Sequence, residues 1–352
     1  MIILGIETSC DETAVAIVEA TRGTCSVRAN IVSSQVALHA QWGGVVPNLA
    51  AREHLKNIGP VFQAALHEAQ LGPNDINLIT VTNGPGLIPA LLIGTSFARS
   101  IAYAWQKPLI GIHHIEGHIY ANFIGKRDTT LKFPILALVV SGGHTQLILM
   151  RDYLRYEIVG ETLDDAVGEA FDKVARILGL GYPGGPAVAR LVTENKSKVY
   201  DVTLPRPMFK SKNFNFSFSG LKTAVLYETK KHPELLQDKT YLADVAHEFQ
   251  QAVIDVLISK TLAAAQKYNP KMILLAGGVS ANQELRKQLG EELHQKLKDT
   301  SYIIPRTSYS VDNAAMIATA GYYRWQRLSP TEKSNAQNTW KTLSTEANLP
   351  LL

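Results

Sequence analysis

Cysteine is nearly absent. The 352 residues include two, Cys10 and Cys25. Two thiols cannot build a disulfide framework, so a reducing compartment, the cytoplasm, is expected. Charge is also sparse: 19% of residues are charged and the formal net charge is +4. That mild basicity is compatible with a nucleic-acid partner and does not by itself define one. No long apolar run is present. The most apolar helix candidate, Leu87 to Trp105, is interrupted by Gly94, Thr95, Ser96 and Arg99. It reads as a buried helix, and no membrane association is expected. The opening MIILGIETSCDE lacks the basic region and apolar core of a signal peptide. The 46% hydrophobic content and the length suit one large globular domain or two ordinary ones.

What is present is an alternation of strands and helices. Ile2–Ile6, Ala14–Val18 and Cys25–Ser34 read as strands, and Asn48–Leu71 as a helix capped by Asn48. Leu78–Thr82 is a strand entering the glycine turn Asn83-Gly84-Pro85-Gly86. A helix over Ile88–Trp105 and a strand over Leu109–Ile112 follow. After the polar segment Gly125–Lys132 the layout begins again. Strands are expected at Ile135–Val140, Gln146–Met150 and Tyr156–Val159, and a helix at Leu163–Leu178. Met272–Ala276 and Tyr302–Ile304 then lead into turns and a helix near Asn313–Trp325. A repeated topology of this kind implies a layered α/β fold of two lobes with ligands in a cleft. The boundaries expected are a first lobe at 1–128, a second at 129–328 and a loosely held polar tail at 329–352.

The chemistry-bearing residues cluster at the turns. His113, His114 and His118 follow the strand at Leu109–Ile112. On a helix, His114 and His118 share a face, a spacing that suits a transition metal. The bland alternative is three polar residues in a solvated loop. Glu116 lies two positions from either histidine, on the opposite side, so the H-E-x-x-H geometry of a zinc peptidase is missing. Two hairpin tips, Thr8-Ser9-Cys10-Asp11-Glu12 and Ser141-Gly142-Gly143-His144, offer amides and hydroxyls for a phosphate. Gly277-Gly278-Val279-Ser280-Ala281-Asn282 opens a helix where Asn282 can bond a ring or sugar, or where Ser280 simply caps. Asp172 stands on a helix one turn after Gly168, ready for ligand hydroxyls or for solvent. Asp312 is either a helix cap or the hard ligand beside the two imidazoles. Phe209 to Lys231 interleaves aromatic and basic residues, as RNA contact requires, unless its phenylalanines pack inward.

These stretches closely resemble the TsaD family of bacterial tRNA adenosine threonylcarbamoyltransferases, once labelled O-sialoglycoprotein endopeptidases. The likeness rests on Glu7-Thr8-Ser9-Cys10-Asp11-Glu12-Thr13, His114-x3-His118, Ser141-Gly142-Gly143-His144-Thr145 and Gly168-Glu169-Ala170-Phe171-Asp172-Lys173. It continues in Tyr182-Pro183-Gly184-Gly185-Pro186, Phe216-Ser217-Phe218-Ser219-Gly220-Leu221-Lys222, Ala276 to Asn282 and Asp312-Asn313-Ala314-Ala315-Met316. It runs from about residue 1 to 325. The resemblance implies a duplicated, two-lobed actin/sugar-kinase/Hsp70-like (ASKHA) fold with an interlobe cleft. It also implies transfer of the threonylcarbamoyl group of threonylcarbamoyl-AMP to N6 of the adenosine 3′ of the anticodon, in tRNAs reading codons that begin with A.

By the same resemblance, His114, His118 and Asp312 hold one divalent metal, iron usually and zinc as the alternative. Val139, Val140, Ser141, Gly142, Gly143, Asp172, Gly185 and Asn282 contact the acyl-adenylate. A TsaB-type paralogue and a TsaE-type ATPase are the implied partners. One position departs from the family: Ala189 stands where many members carry an aspartate, so a hydroxyl contact there is lost and Asp172 carries more of that load. No nucleophile–histidine set stands out, and Asp11 or Glu12 is the candidate base for N6. A metallopeptidase, an ASKHA-type small-molecule kinase and a non-catalytic nucleotide-binding scaffold are the rival readings.

Overall fold

The computed structural model describes residues 1–127, 131–195 and 198–351. The middle of the expected linker, residues 128–130, lies outside them. The chain forms two compact units, Met1–Lys132 with Pro305–Leu352, and Phe133–Ile304.

The first unit is built on strands β1 (Ile2–Glu7), β2 (Glu12–Thr21), β3 (Thr24–Ser34), β4 (Leu78–Gly84) and β5 (Leu109–His113), in the order β3-β2-β1-β4-β5. β1–β2 and β2–β3 are antiparallel, and β1–β4 and β4–β5 parallel. A short helix α1 (Val36–Ala40) precedes α2 (Pro47–Ala69) and α3 (Ile88–Trp105). Alternation along β1 sorts its side chains by face. Leu4 and Ile6 join Val15, Ile58, Val61, Ala98 and Ala102 in one core. Gly5 faces the other way, because a Cβ there would collide with the Ala314 carbonyl and lie 3.0 Å from Ala318 Cβ. The expected cap of α2 is displaced: Val46 occupies it and Pro47 takes the first turn, where a missing N–H costs nothing. The helix after the histidines, α4, spans His114–Ala121.

The second unit repeats the plan. β6 (Ile135–Val140), β7 (Thr145–Asp152), β8 (Arg155–Glu161), β9 (Met272–Ala276) and β10 (Ser301–Ile303) lie in the order β10-β9-β6-β7-β8. Read from β8, this is the first sheet again, with the same two antiparallel and two parallel pairings. Its helices are α5 (Val167–Ile177), α6 (Gly184–Glu194), α7 (Ser219–Lys231), α8 (Lys239–Tyr268) and α9 (Gln283–Lys296). Leu136, Leu138, Val140, Phe171, Phe216, Phe218 and Phe249 share its core. A fully buried phenylalanine of this kind contributes about 2–3 kcal/mol by area.

Two expectations need correction. Residues 305–328 do not join the second lobe: α10 (Ala314–Arg327) lies against β1, β2 and α4. Nor is the tail loosely held. It forms α11 (Pro330–Ala336) and α12 (Thr339–Thr342), and the Trp340 ring packs against Tyr103 with centroids 4.6 Å apart. Arg99 Nε donates to the Trp340 carbonyl at 2.7 Å, Glu346 N to Asn83 O at 3.0 Å and Gly86 N to Ala347 O at 3.1 Å. Polarity concealed this, because main-chain hydrogen bonds do most of the fastening.

Candidate active site

β5 delivers the histidines. His113 is the N-cap of α4: its Nδ1 accepts from Ile115 N at 3.1 Å, and its Nε2 donates to the Leu349 carbonyl at 2.9 Å. Both ring nitrogens are therefore engaged, and His113 is not a ligand. Burial pushes its pKa down to about 4, which suits this neutral, one-donor arrangement.

His114 and His118 follow one helical turn apart, with ring centroids 4.6 Å from each other and planes at 82°. Asp312 arrives just before α10. Its Oδ1 lies 3.5 Å from His114 Nε2 and 3.1 Å from His118 Nε2. The helix cap is Asn313, whose Oδ1 accepts from Met316 N at 3.0 Å. The helix-cap reading of Asp312 therefore does not hold, and its carboxylate lies beside the two imidazoles. One donor atom from each of the three residues falls within 4.8 Å of the others. Metal–ligand bonds of about 2.1 Å place neighbouring donors about 3 Å apart, so the set fits an ion with little adjustment. His118 gives the sharper test. It is 1% exposed, yet neither ring nitrogen makes a directed hydrogen bond among the described residues. A buried imidazole whose polar atoms lack well-directed hydrogen bonds is costly unless something coordinates it. Two imidazoles and one carboxylate with open positions match the donor preferences of ferrous iron and of zinc.

Glu7 closes the back of this group. It ends β1 with no solvent exposure. Its Oε2 lies 3.2 Å from His114 Nδ1 and accepts from Thr82 Oγ1 at 2.5 Å, while Oε1 accepts from Ser9 N at 2.5 Å. Ser9 Oγ is also 3.2 Å from that Nδ1. Burial alone would raise the Glu7 pKa, but His114 and the donors around it hold it below the usual range. Burial alone would lower His114, but Asp312 and Glu7 outweigh it and hold its pKa at about 9. For His118 burial wins, and its pKa is lowered.

The first hairpin tip is turned inward. Thr8 Oγ1 donates to Ala90 O at 3.0 Å, and Leu87 N donates to Ser9 O at 2.9 Å. The Thr8 hydroxyl is therefore engaged within the fold and not turned toward a ligand. Burial, with the charges of Asp11 and Asp312, pushes Glu12 up to about 10. A carboxyl in that state keeps its proton near neutrality, which counts against Glu12 as the base for N6. Glu116 is fully buried and meets Arg324 Nη2 of α10 at 2.5 Å. It ties α4 to α10 and faces away from the histidines, as its spacing implied.

The residues expected to contact an adenylate gather at one end of the second sheet. Val139 pairs with Ala276 where β6 and β9 run parallel, so the turns that follow are neighbours. At Gly277 φ is +87°, and a Cβ would strike the Val140 carbonyl; only glycine suits both conditions. Gly142 and Gly143 are exposed, and added Cβ atoms would meet nothing within 4 Å. Gly185 is equally open. Ser141 O accepts from Gly168 N at 3.2 Å at the start of α5. Asp172 Oδ1 accepts from Gly184 N at 2.7 Å, fixing the start of α6. Asn282, not Ser280, caps its helix, accepting from Leu285 N at 3.0 Å and donating to Gln250 Oε1 at 2.8 Å. Ser280 is fully buried, and its Oγ has no partner among the described residues.

Against known families, the chain matches TsaD, described as tRNA N6-adenosine threonylcarbamoyltransferase, over residues 26–319. The chain belongs to the TsaD family. Among relatives named tRNA N6-adenosine threonylcarbamoyltransferase, that of Thermosipho melanesiensis is 51% identical over 322 residues, covering 92% of this chain and 94% of the relative. That of Bacillus cereus is 49% identical over 326 residues, covering 93% and 92%. A solved structure of HypF from T. kodakarensis aligns with TM-score 0.57 at 13% identity, covering 92% of this chain and 48% of HypF. This chain therefore spans about half of HypF, and the likeness bears on the fold alone. It agrees with the duplicated ASKHA plan of both sheets.

Membership in the TsaD family also frames what the sequence did not single out. Glu7 and Thr82 as the backing of His114 escaped notice, as did the fastening of the tail. A carboxylate ending the otherwise apolar strand IILGIE was the available signal, since a buried charge needs partners.

Proposed function

We propose that this protein transfers the threonylcarbamoyl group of threonylcarbamoyl-AMP to N6 of the adenosine 3′ of the anticodon, in tRNAs reading codons that begin with A. The family match carries the reaction. The buried His118, its Nε2 3.1 Å from Asp312 and its ring beside that of His114, carries the metal. In the transfer, a bond forms between N6 and the acyl carbon while the bond from that carbon to the AMP phosphate oxygen breaks. AMP leaves, and N6 gives up one proton. When bound, ferrous iron or zinc on His114, His118 and Asp312 supplies Lewis acidity and a template for the threonylcarbamoyl group. Glu7 holds His114 in place, and Glu116 with Arg324 fixes the helix that carries both histidines.

Val139, Val140, Ser141, Gly142, Gly143, Asp172, Gly185 and Asn282 hold the adenylate. The open glycine backbone suits a phosphate. Asp172 and Asn282 also fix the turns they stand in, each accepting from a main-chain amide. With Ala189 in the aspartate position, no side-chain acceptor reaches ligand from there. For tRNA, exposed Phe209, Lys210, Lys212 and Tyr227 suit stacking and phosphate contact. Buried Lys260 steadies the loop beside them, bonding the Ser211 and Asn213 carbonyls at 3.2 and 2.7 Å. Phe216 and Phe218 are core residues and take no part. A TsaB-type paralogue and a TsaE-type ATPase complete the assembly in the cytoplasm. No helix among the described residues is long and apolar enough to cross a membrane.

Glu116 lies against Arg324, so the peptidase reading lacks its base. Nucleoside analysis of unmodified tRNA incubated with this protein, threonylcarbamoyl-AMP and the two partners tests the proposal. Threonylcarbamoyladenosine is the expected product, and its absence with all components present refutes the reading.

A further inference from the structure

We infer that Glu7 is a positioning residue that sets which nitrogen of His114 is presented to the metal. The inference rests on the metal reading of His114, His118 and Asp312. The Glu7 carboxylate lies 3.2 Å from His114 Nδ1 and is fully buried at the end of β1. A carboxylate only accepts, so Nδ1 keeps a ring proton, and Nε2, the nitrogen beside Asp312, is the one left to a metal once the ring is neutral. Both carboxylate oxygens are committed. Oε1 takes the Ser9 amide, and Oε2 takes the Thr82 hydroxyl beside the imidazole.

The Ser9 amide makes the arrangement testable, because a main-chain N–H can only donate. In Glu7→Gln the new side chain must turn its carbonyl to Ser9 and its NH2 toward His114. Nδ1 then becomes the acceptor, the ring proton moves to Nε2, and the nitrogen beside Asp312 is blocked. Thr82 Oγ1 can rotate to accept, so the amide fits the same space. A substitution of equal size therefore reverses the tautomer, which mere filling of the cavity would not do.

The test uses the full chain. Cobalt(II) affinity is measured from its visible d–d bands at pH 9, where proton competition is small, for wild type, Glu7→Gln and Asp312→Ala. A fall of about 10–100-fold is expected in Glu7→Gln. The zinc-loaded wild type is expected to show a slowly exchanging imidazole N–H on His114 Nδ1 by long-range 1H–15N correlation, and Glu7→Gln to lose it. Affinity within twofold of wild type together with a retained Nδ1 proton overturns the inference. Should Glu7→Gln not fold, an Nε2 proton on His114 in the zinc-loaded wild type overturns it alone. If wild type and Asp312→Ala show the same cobalt spectrum, the metal reading itself fails and takes this inference with it.

Discussion

His118 Nε2 lies 3.1 Å from Oδ1 of Asp312, yet neither nitrogen of that buried ring makes a directed hydrogen bond among the described residues. The side chain is held in a position that suits coordination and serves the metal-free fold poorly. His118→Leu, close to it in size and apolar, removes that burden. In chelator-treated protein the variant is expected to be as stable as wild type or about 1 kcal/mol more stable, while binding no metal. Scanning calorimetry with metal analysis checks this. A metal-free variant several kcal/mol less stable would mean that His118 has a structural purpose.

Metal affinity is expected to depend on pH through His114. Its pKa of about 9 means that below pH 9 a proton must leave before the ring can coordinate. Apparent affinity therefore rises with pH, roughly tenfold per unit from 7 to 9, and levels off above. His118, with its lowered pKa, adds no further step in that window. Competition titrations with a chromophoric chelator across this range measure the slope. A flat profile would contradict the pairing of His114 with Glu7 and Asp312.

Glu116 and Arg324 join α4 to α10. Arg324→Met leaves a fully buried carboxylate without its cation, at a cost of about 3 kcal/mol. The double variant Glu116→Leu/Arg324→Met is expected to recover most of that loss, since an apolar pair often replaces a buried ion pair at little cost. Urea unfolding of the two variants gives both values.

Trp340 anchors the tail on Tyr103, and its carbonyl receives Arg99. Trp340→Ala is expected to cost about 1–3 kcal/mol and to increase amide exchange at Gly86 and Glu346, whose N–H groups depend on the tail's path. Hydrogen exchange by mass spectrometry reads this directly. Unchanged exchange would mean that the tail holds itself.

Much of this was readable in the residues, for reasons that differ by element. Ile135–Val140 and Met272–Ala276 are unbroken apolar runs between turn residues, and their bounds appear in the structure unchanged. The parallel layout of both halves exposed the duplication, because each sheet reuses one connectivity. By contrast, α8 buries residues around most of its circumference, including Asp244, Gln250 and Lys260, so no one-sided stripe marks it. His114 and His118 stood out by spacing, whereas Asp312 read equally as a helix cap or as a third ligand until the geometry placed it beside them. Glu7 was harder still, since its role depends on a ring supplied by another strand's end. Nothing local to Ile6 or Thr8 specifies that neighbour.

The claim at the centre is that acyl transfer depends on the ion held by His114, His118 and Asp312. The most direct measurement is single-turnover formation of threonylcarbamoyladenosine, with partners and threonylcarbamoyl-AMP supplied, by wild type and by His114→Ala/Asp312→Ala, each analysed for metal. The expected result is product from wild type, and from the metal-free double variant a rate lower by at least about 100-fold. Wild-type turnover by the metal-free double variant would contradict the account.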